Sequence, residues 1–196
     1  MQTKNPNLPR QPITNAEIAG DYDWCIAGGF ACCPGMARDC DVWVLGVTLD
    51  GSMPEDVRGG ILDRLTSAGV QFEPEENDPE QPGEIYNLGN GILCWKVAKL
   101  DDGRQIILTN AETPYDLLQS FDVSTHQVAL SSNGELVKGA DWTPPTMPPV
   151  MIWNGGTTSE RIVKISRRYG RMRPTPPIVE PPLREESQAE AYDWAV

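Results

Sequence analysis

The sequence predicts an α/β fold of the α+β class, in which a small mixed β-sheet is flanked by helices. Short β-rich runs alternate with segments of helical periodicity, and one pair of runs has the pattern of a hairpin. The 18 prolines and 18 glycines exceed the usual share of a domain of 196 residues, so we expect flexible, proline-rich tails around it. The length fits a single folded core.

Four segments have the composition of strands or of a hairpin. WCIAGGFA (24–31) is abruptly apolar and ends in small residues, which predicts a buried strand running into a glycine turn. DCDVWVLGV (39–47) predicts a second strand, and SFDVSTHQVAL (120–130) predicts another. ILCWKVAKLDDGRQIILTN (92–110) contains an Asp-Gly pair between two β-rich runs and therefore predicts a hairpin.

The remaining segments predict helices and one loop. Residues 52–69 have apolar side chains at helical spacing and end at a glycine. A short helix is expected after Thr113, a good capping residue that precedes a proline. TTSERIVKISRRYG (157–170) predicts the last helix. Residues 72–84 are acidic and rich in proline, which favours a mobile loop.

These patterns divide the chain into four parts. We predict an N-terminal arm (1–20), a folded domain (21–142), a proline linker with a basic helix (143–173), and a flexible, proline-rich acidic tail (174–196). The tail is a candidate site for a protein partner.

The charge and the cysteines exclude several classes of protein. The net charge of −12 argues against a protein that neutralises long duplex DNA. The N-terminus lacks the apolar core of a signal peptide and no run has the length of a membrane span, which predicts a soluble, cytoplasmic protein with no membrane partner. Five cysteines without a C-x-x-C pair, with a single histidine, support neither a disulfide framework nor a zinc site.

Two aspartates stand one residue apart at the start of the second predicted strand. Alternate side chains of a strand point to the same face, so Asp39 and Asp41 lie on one side with Cα atoms roughly 7 Å apart. Two such carboxylates repel each other unless a cation or a proton relieves the repulsion. The alternative is a solvated strand end without a ligand.

A third aspartate and a glycine pair extend this pattern. Asp122 lies near the start of a later predicted strand, and Gly28-Gly29 follows the first strand. If these strands are neighbours, three carboxylates converge beside a turn whose N–H groups can meet phosphate oxygens. Such a set suits Mg²⁺-dependent or Mn²⁺-dependent phosphoryl transfer. Asp122 alone is also typical of a junction between a helix and a strand.

The order of these motifs resembles the polymerase β superfamily of nucleotidyltransferases. The likeness is carried by AGGFA (27–31), DCDVWV (39–44) and SFDVSTHQVAL (120–130), and it is to the short minimal members, including those that bacteriophages encode, and to the catalytic head of tRNA nucleotidyltransferases. The last helix, TTSERIVKISRRYG (157–170), is similar to a basic helix that often follows in the phage members. The resemblance implies a nucleotidyltransferase-like fold.

The resemblance also implies roles for individual residues. Gly28 and Gly29 would contact the nucleotide phosphates, while Asp39 and Asp41 would bind both metal ions. Asp122 would complete the site of the metal that activates the acceptor.

One position departs from the family pattern. Relatives that act on tRNA commonly carry an Arg-Asp pair soon after the two glycines, where this chain has Cys32 and Cys33. Arg38 is the candidate that could supply the missing positive charge.

The last helix is the one concentrated basic segment of the sequence. A solvated helix face is one interpretation, and a docking site for a polyanionic substrate, a nucleotide or the acidic tail of the chain itself is the other. The candidate residues of this basic helix are Arg161, Lys164, Arg167 and Arg168.

The sequence therefore predicts a metal-dependent nucleotidyltransferase. It would transfer a nucleoside monophosphate from a nucleoside triphosphate such as ATP to a hydroxyl of an RNA 3′ end, a protein or a small molecule. The alternative is a catalytically inactive phage accessory or interaction protein of the same fold. A phage-encoded protein would work in the host cytoplasm or associate with the virion.

Overall fold

The computed structural model describes residues 13–49, 54–74, 86–154, 157–170 and 178–179. Its α-helices are α1 (Asn15–Ala19), α2 (Gly29–Cys32), α3 (Glu55–Ala68), α4 (Pro114–Leu118) and α5 (Ser159–Gly170). Its strands are β1 (Trp24–Ala27), β2 (Cys40–Val44), β3 (Phe72–Pro74), β4 (Tyr86–Gly89), β5 (Ile92–Leu100), β6 (Arg104–Thr109), β7 (Val128–Ser131), β8 (Leu136–Lys138), β9 (Met151–Ile152) and β10 (Ile178–Val179).

Within these residues, eight strands form one mixed sheet. Its order is β3-β5-β6-β2-β1-β7-β8, and β4 pairs with β5 on the side of the sheet that carries β3. Strands β2 and β6 are parallel, whereas their outer neighbours β1 and β5 run antiparallel to them. The mixed sheet with its few helices confirms the predicted α+β class.

Each face of the sheet carries a separate apolar core. One core lies under α1 and α3, where Ile18, Ile61 and Leu65 are fully buried together with strand residues such as Val42 and Val44. The other lies under α4 and is built from residues that include Trp43, Ile107, Leu117 and Leu118. Burial on both faces explains why the central strands are almost continuously apolar.

A small third core fixes the last helix. Val123, Met151 and Ile165 are buried against one another, and Val123 forms a bridge to Met151. Ile165 stands four residues after Arg161, so both lie on one face of α5. Packing of Ile165 beside Val123 therefore brings Arg161 next to the preceding residue, Asp122.

The structure confirms the predicted hairpin, α3 and α4, whose sequence signals each lie within a few residues. Strands β5 and β6 pair antiparallel around the Asp102-Gly103 turn. Helix α3 ends at Gly69, whose φ of 67° and ψ of 31° are left-handed. Thr113 caps α4 in a capping box with Asp116.

The segment 120–130 is not one continuous strand. Strand β7 begins at Val128, and a short 3₁₀ turn, Ser124–His126, comes before it. Asp122 therefore precedes the turn instead of lying in the strand. The backbone of this segment pairs with β9, because Ile152 N–H donates to Asp122 O at 2.8 Å and Ser124 N–H donates to Val150 O at 2.9 Å.

The acidic loop predicted at 72–84 is partly a strand. Phe72–Pro74 forms β3 and pairs with β5, because Phe72 packs toward the core beneath α3. The remainder of that prediction lies outside the described residues. Within the tail predicted as flexible at 174–196, Ile178–Val179 forms β10 and pairs parallel with β9, and the other residues of the tail lie outside the described ones.

The predicted domain boundaries at 20 and 142 differ from the observed packing. Ile18 and Ala19, in the predicted arm, are fully buried in the core beneath α3. Met151 and Ile165, in the predicted linker and helix, form the third core with Val123. Both flanking segments thus belong to the same packed unit as the sheet. Among the described residues, no helix is both long and apolar enough to cross a membrane.

Candidate functional site

Three chain segments meet at the edge of the sheet where β2 begins. Strand β1 is antiparallel to β2, with Ile26 opposite Val42, so the end of β1 adjoins the start of β2. On the other side of β1, Gly28 N–H donates to Val128 O at 3.1 Å, which places the start of β7 there as well. The glycine turn, Asp41 of β2 with Asp39 just before the strand, and the segment before β7 therefore share one edge.

The glycine turn has a conformation that requires glycine at its first position. Gly28 has φ 82° and ψ −140°, and a Cβ there would lie 3.3 Å from the Phe121 ring. The Phe121 ring in turn packs on Trp43, with centroids 5.7 Å apart. Gly29 begins α2. Phe121, the residue before Asp122, thus lies against both the glycine turn and Trp43 of β2.

Asp41 is a partly buried carboxylate in a charged setting. Burial raises its pKa to about 6, and the neighbouring charge of Asp39 adds to the rise. The charges of Lys96 and Arg161 are near enough to oppose it. The repulsion between Asp39 and Asp41 agrees with the prediction from their spacing.

Asp39 is half exposed and has a cationic partner. Its Oδ1 lies 3.2 Å from Lys99 Nζ. Both side chains keep about half of their surface in water, at 45% and 51%, so this ion pair adds little to folding stability.

Asp122 is held by α5. Its two carboxylate oxygens accept hydrogen bonds from Arg161 Nε and Nη2, each at 2.9 Å. The Asp122 side chain is 9% exposed and that of Arg161 is 44% exposed. Arg161 also opposes the rise in the pKa of Asp41, so the guanidinium group that holds Asp122 acts electrostatically on Asp41 as well.

Sequence reasoning missed three polar residues on the same face. Gln105 on β6 stands opposite Asp41, and Lys99 on β5 stands opposite Gln105. Lys96 lies on this face as well, beyond a β-bulge. The hairpin pattern predicts two regular strands, and regular alternation would separate these lysines onto opposite faces, so only the bulge reveals them.

The other predicted residues lie at the margins. Arg38 is exposed on the chain that enters β2, and Lys164 and Arg167 are exposed on α5, where Arg168 also lies in the helix. Cys32 and Cys33 form no disulfide bond, and their Sγ atoms lie 3.4 Å apart.

The fit of a metal ion differs among the three aspartates. Asp39 and Asp41 suit a divalent cation, because its positive charge would offset the repulsion between them and stabilise the charged form of Asp41 that burial disfavours. Asp122 suits one less well while both of its oxygens accept from Arg161. Across the described ranges, no group of three or more His, Cys, Asp and Glu side chains is arranged to hold a metal ion.

An open cleft of about 560 Å³ lies elsewhere, and no candidate residue lines it. Its walls come from the end of α3, from β3 and from the hairpin turn: Thr66, Gly69, Val70, Gln71, Phe72, Glu73 and Asp101. The sheet edge at Asp39 and Asp41 carries charged side chains, including Lys96 and Lys99, which suit a charged ligand more than an apolar one. No family model, curated protein or solved structure matches this chain.

Proposed function

We propose that the protein is a metal-dependent nucleotidyltransferase whose site is the sheet edge at Asp39 and Asp41. The observation that carries the proposal is the setting of Asp41, which is partly buried, adjoins a second carboxylate and is near Lys96 and Arg161. Paired carboxylates can bind a divalent cation, and the cationic side chains around them can bind a polyphosphate. The turn at Gly28 lies on the same edge.

Asp39 and Asp41 would hold Mg²⁺ or Mn²⁺. The bound metal would neutralise the triphosphate and lower the pKa of the attacking hydroxyl. Gly28 N–H is already bonded to Val128 O, which leaves the N–H groups of the first turn of α2, beginning with Gly29, as donors toward a phosphate. Asp122 would orient Arg161, and it would join the metal site only after releasing that side chain.

The acceptor is a hydroxyl of an RNA 3′ end, a protein or a small molecule. Exposed Lys164 and Arg167 on α5 favour an acceptor with negative charge, while the net charge of −12 disfavours long duplex DNA. We place the activity in the cytoplasm, of a host cell if the chain is phage-encoded, because none of the five cysteines forms a disulfide bond. Virion association and a protein partner for the tail at 174–196 are further parts of the proposal.

The test is incorporation of label from each α-³²P nucleoside triphosphate, with Mg²⁺ or Mn²⁺, into total cellular RNA and protein. Wild type is compared with an Asp39→Ala, Asp41→Ala variant and with Asp63→Ala, which removes an exposed carboxylate of α3. We expect incorporation by the wild type and by the Asp63 variant alone. Equal labelling by the double variant would contradict the proposed site.

A second candidate is a protein of this fold without catalysis. The observation that favours it is that Asp39 pairs with Lys99 and that Asp122 pairs with Arg161, so two of the three carboxylates are neutralised by the chain itself. No incorporation by the wild type, together with no metal-dependent nucleotide binding, would establish this candidate over the first.

A further inference from the structure

The β-bulge in β5 places two lysines on the face that carries Asp41. Lys96 pairs with Ile107 and Lys99 pairs with Gln105, although two residues separate the lysines and only one separates their partners. Val97 and Ala98 both pack into the core beneath α3, on the opposite face. The extra residue thus places the Lys99 side chain on the same face as that of Lys96. β-Bulges next to active sites commonly redirect side chains in this way.

Both lysines lie within reach of the paired aspartates. Lys99 Nζ is 3.2 Å from Asp39 Oδ1, and Lys96 is close enough to Asp41 to oppose the rise in its pKa. Lys96 Nζ also lies over the exposed ring of Tyr86, 5.7 Å from its centroid. Two ammonium groups therefore flank the carboxylates on the side toward β5, away from the glycine turn.

Folding stability gives little reason for this arrangement. The Lys99–Asp39 pair is half exposed, and such surface pairs contribute little to folding stability. An ammonium group is instead a compact phosphate binder, and two of them next to a pair of metal-binding carboxylates match the charge pattern of a metal-bound polyphosphate.

We propose that Lys96 and Lys99 form the subsite for the β- and γ-phosphates of the nucleoside triphosphate. This inference rests on the proposed function, because it assigns the phosphate tail of the same substrate. Lys99 leaves Asp39 when that carboxylate takes a cation, and its ammonium group then pairs with a terminal phosphate oxygen. The lysines would thus distinguish triphosphates from monophosphates.

The test is calorimetric binding to the full chain with Mg²⁺, using inorganic tripolyphosphate, an ATP analogue that cannot be cleaved between the α- and β-phosphates, and AMP. The variants are Lys96→Gln, Lys99→Gln and their combination, with Lys99→Arg as the conservative change. Lys138→Gln is the matched control, because Lys138 is an exposed lysine on β8 that lies over Trp142. Thermal unfolding of each variant verifies its fold.

We expect each glutamine variant to bind tripolyphosphate and the analogue about tenfold more weakly, the loss expected for one charged contact. AMP binding and the Lys138 variant should be unaffected, and Lys99→Arg should retain most of the affinity. An unchanged ratio of triphosphate to monophosphate affinity in the glutamine variants would overturn the inference, as would failure of the wild type to bind tripolyphosphate. If these affinities fall as expected but the wild type transfers no nucleotide, the subsite stands and the proposed activity fails.

Discussion

Asp41 is a residue whose charge the fold disfavours. Burial and the neighbouring charge of Asp39 raise its pKa from 3.8 to about 6. Between these two pH values the folded chain keeps a proton that the unfolded chain has lost, so stability falls as the pH rises through this range. Above about pH 6 the full penalty applies.

Asp41→Asn should therefore stabilise the metal-free chain at pH 8 by about 3 kcal/mol, because the pKa of Asp41 rises from 3.8 to about 6 and each pKa unit corresponds to about 1.36 kcal/mol. At pH 4 the two chains should have nearly equal free energies of unfolding. Urea denaturation at both pH values measures the difference, and Asp63→Asn is the control for a lost carboxylate on the exposed side of α3. A stabilisation that is the same at both pH values would show that the charge is not its cause.

At the scale of the element, α5 is joined to the site by Ile165 in the third core and by the ion pair between Arg161 and Asp122. Arg161→Gln should destabilise the fold by about 1–2 kcal/mol, because it leaves the Asp122 carboxylate, only 9% exposed, without its bidentate partner. Hydrogen exchange in α5 should accelerate. Arg167→Gln on the exposed part of the same helix is the control, and equal exchange in the two variants would contradict the role of the pair.

Sequence patterns predicted elements whose signals are local. The Asp-Gly turn of the β5–β6 hairpin, the Thr113 cap and the Gly69 stop all act within a few residues. The prediction of one continuous strand over 120–130 is wrong. An extended segment that pairs with β9 and then forms a 3₁₀ turn has the same apolar composition as a strand. Composition does not distinguish an extended residue in a sheet from one outside it.

The candidate site was predicted in part for the same reason. The position of Asp39 and Asp41 at the start of β2, with the glycine turn at the end of β1, follows from short-range spacing. The contact between Asp122 and Arg161 joins residues 39 positions apart, and it depends on how Val123 and Ile165 pack. The position of Lys96 and Lys99 on one face depends on a β-bulge, which the alternation of side chains along a regular strand does not predict.

At the scale of the whole molecule, the folded unit begins before residue 20. Deletion of residues 1–20 should cost several kcal/mol, because it removes the buried side chains of Ile13, Ile18 and Ala19 and the bond from Arg64 Nε to Ile18 O. Deletion of residues 1–12 removes none of these contacts and is the control. Thermal unfolding compares the two deletions, and equal melting temperatures would contradict the place of α1 in the core.

The pairing of Asp122 with Arg161 also has a consequence for synthesis of the chain. A nascent chain that has passed β2 already contains Asp39 and Asp41, but their parallel neighbour β6 and the helix that carries Arg161 have not yet been made. A domain grows from its N-terminus, so these late segments assemble last. The charged edge therefore stays incomplete until the segment that carries Arg161 has been made, and a product truncated after β2 would carry the two carboxylates without the cations that surround them.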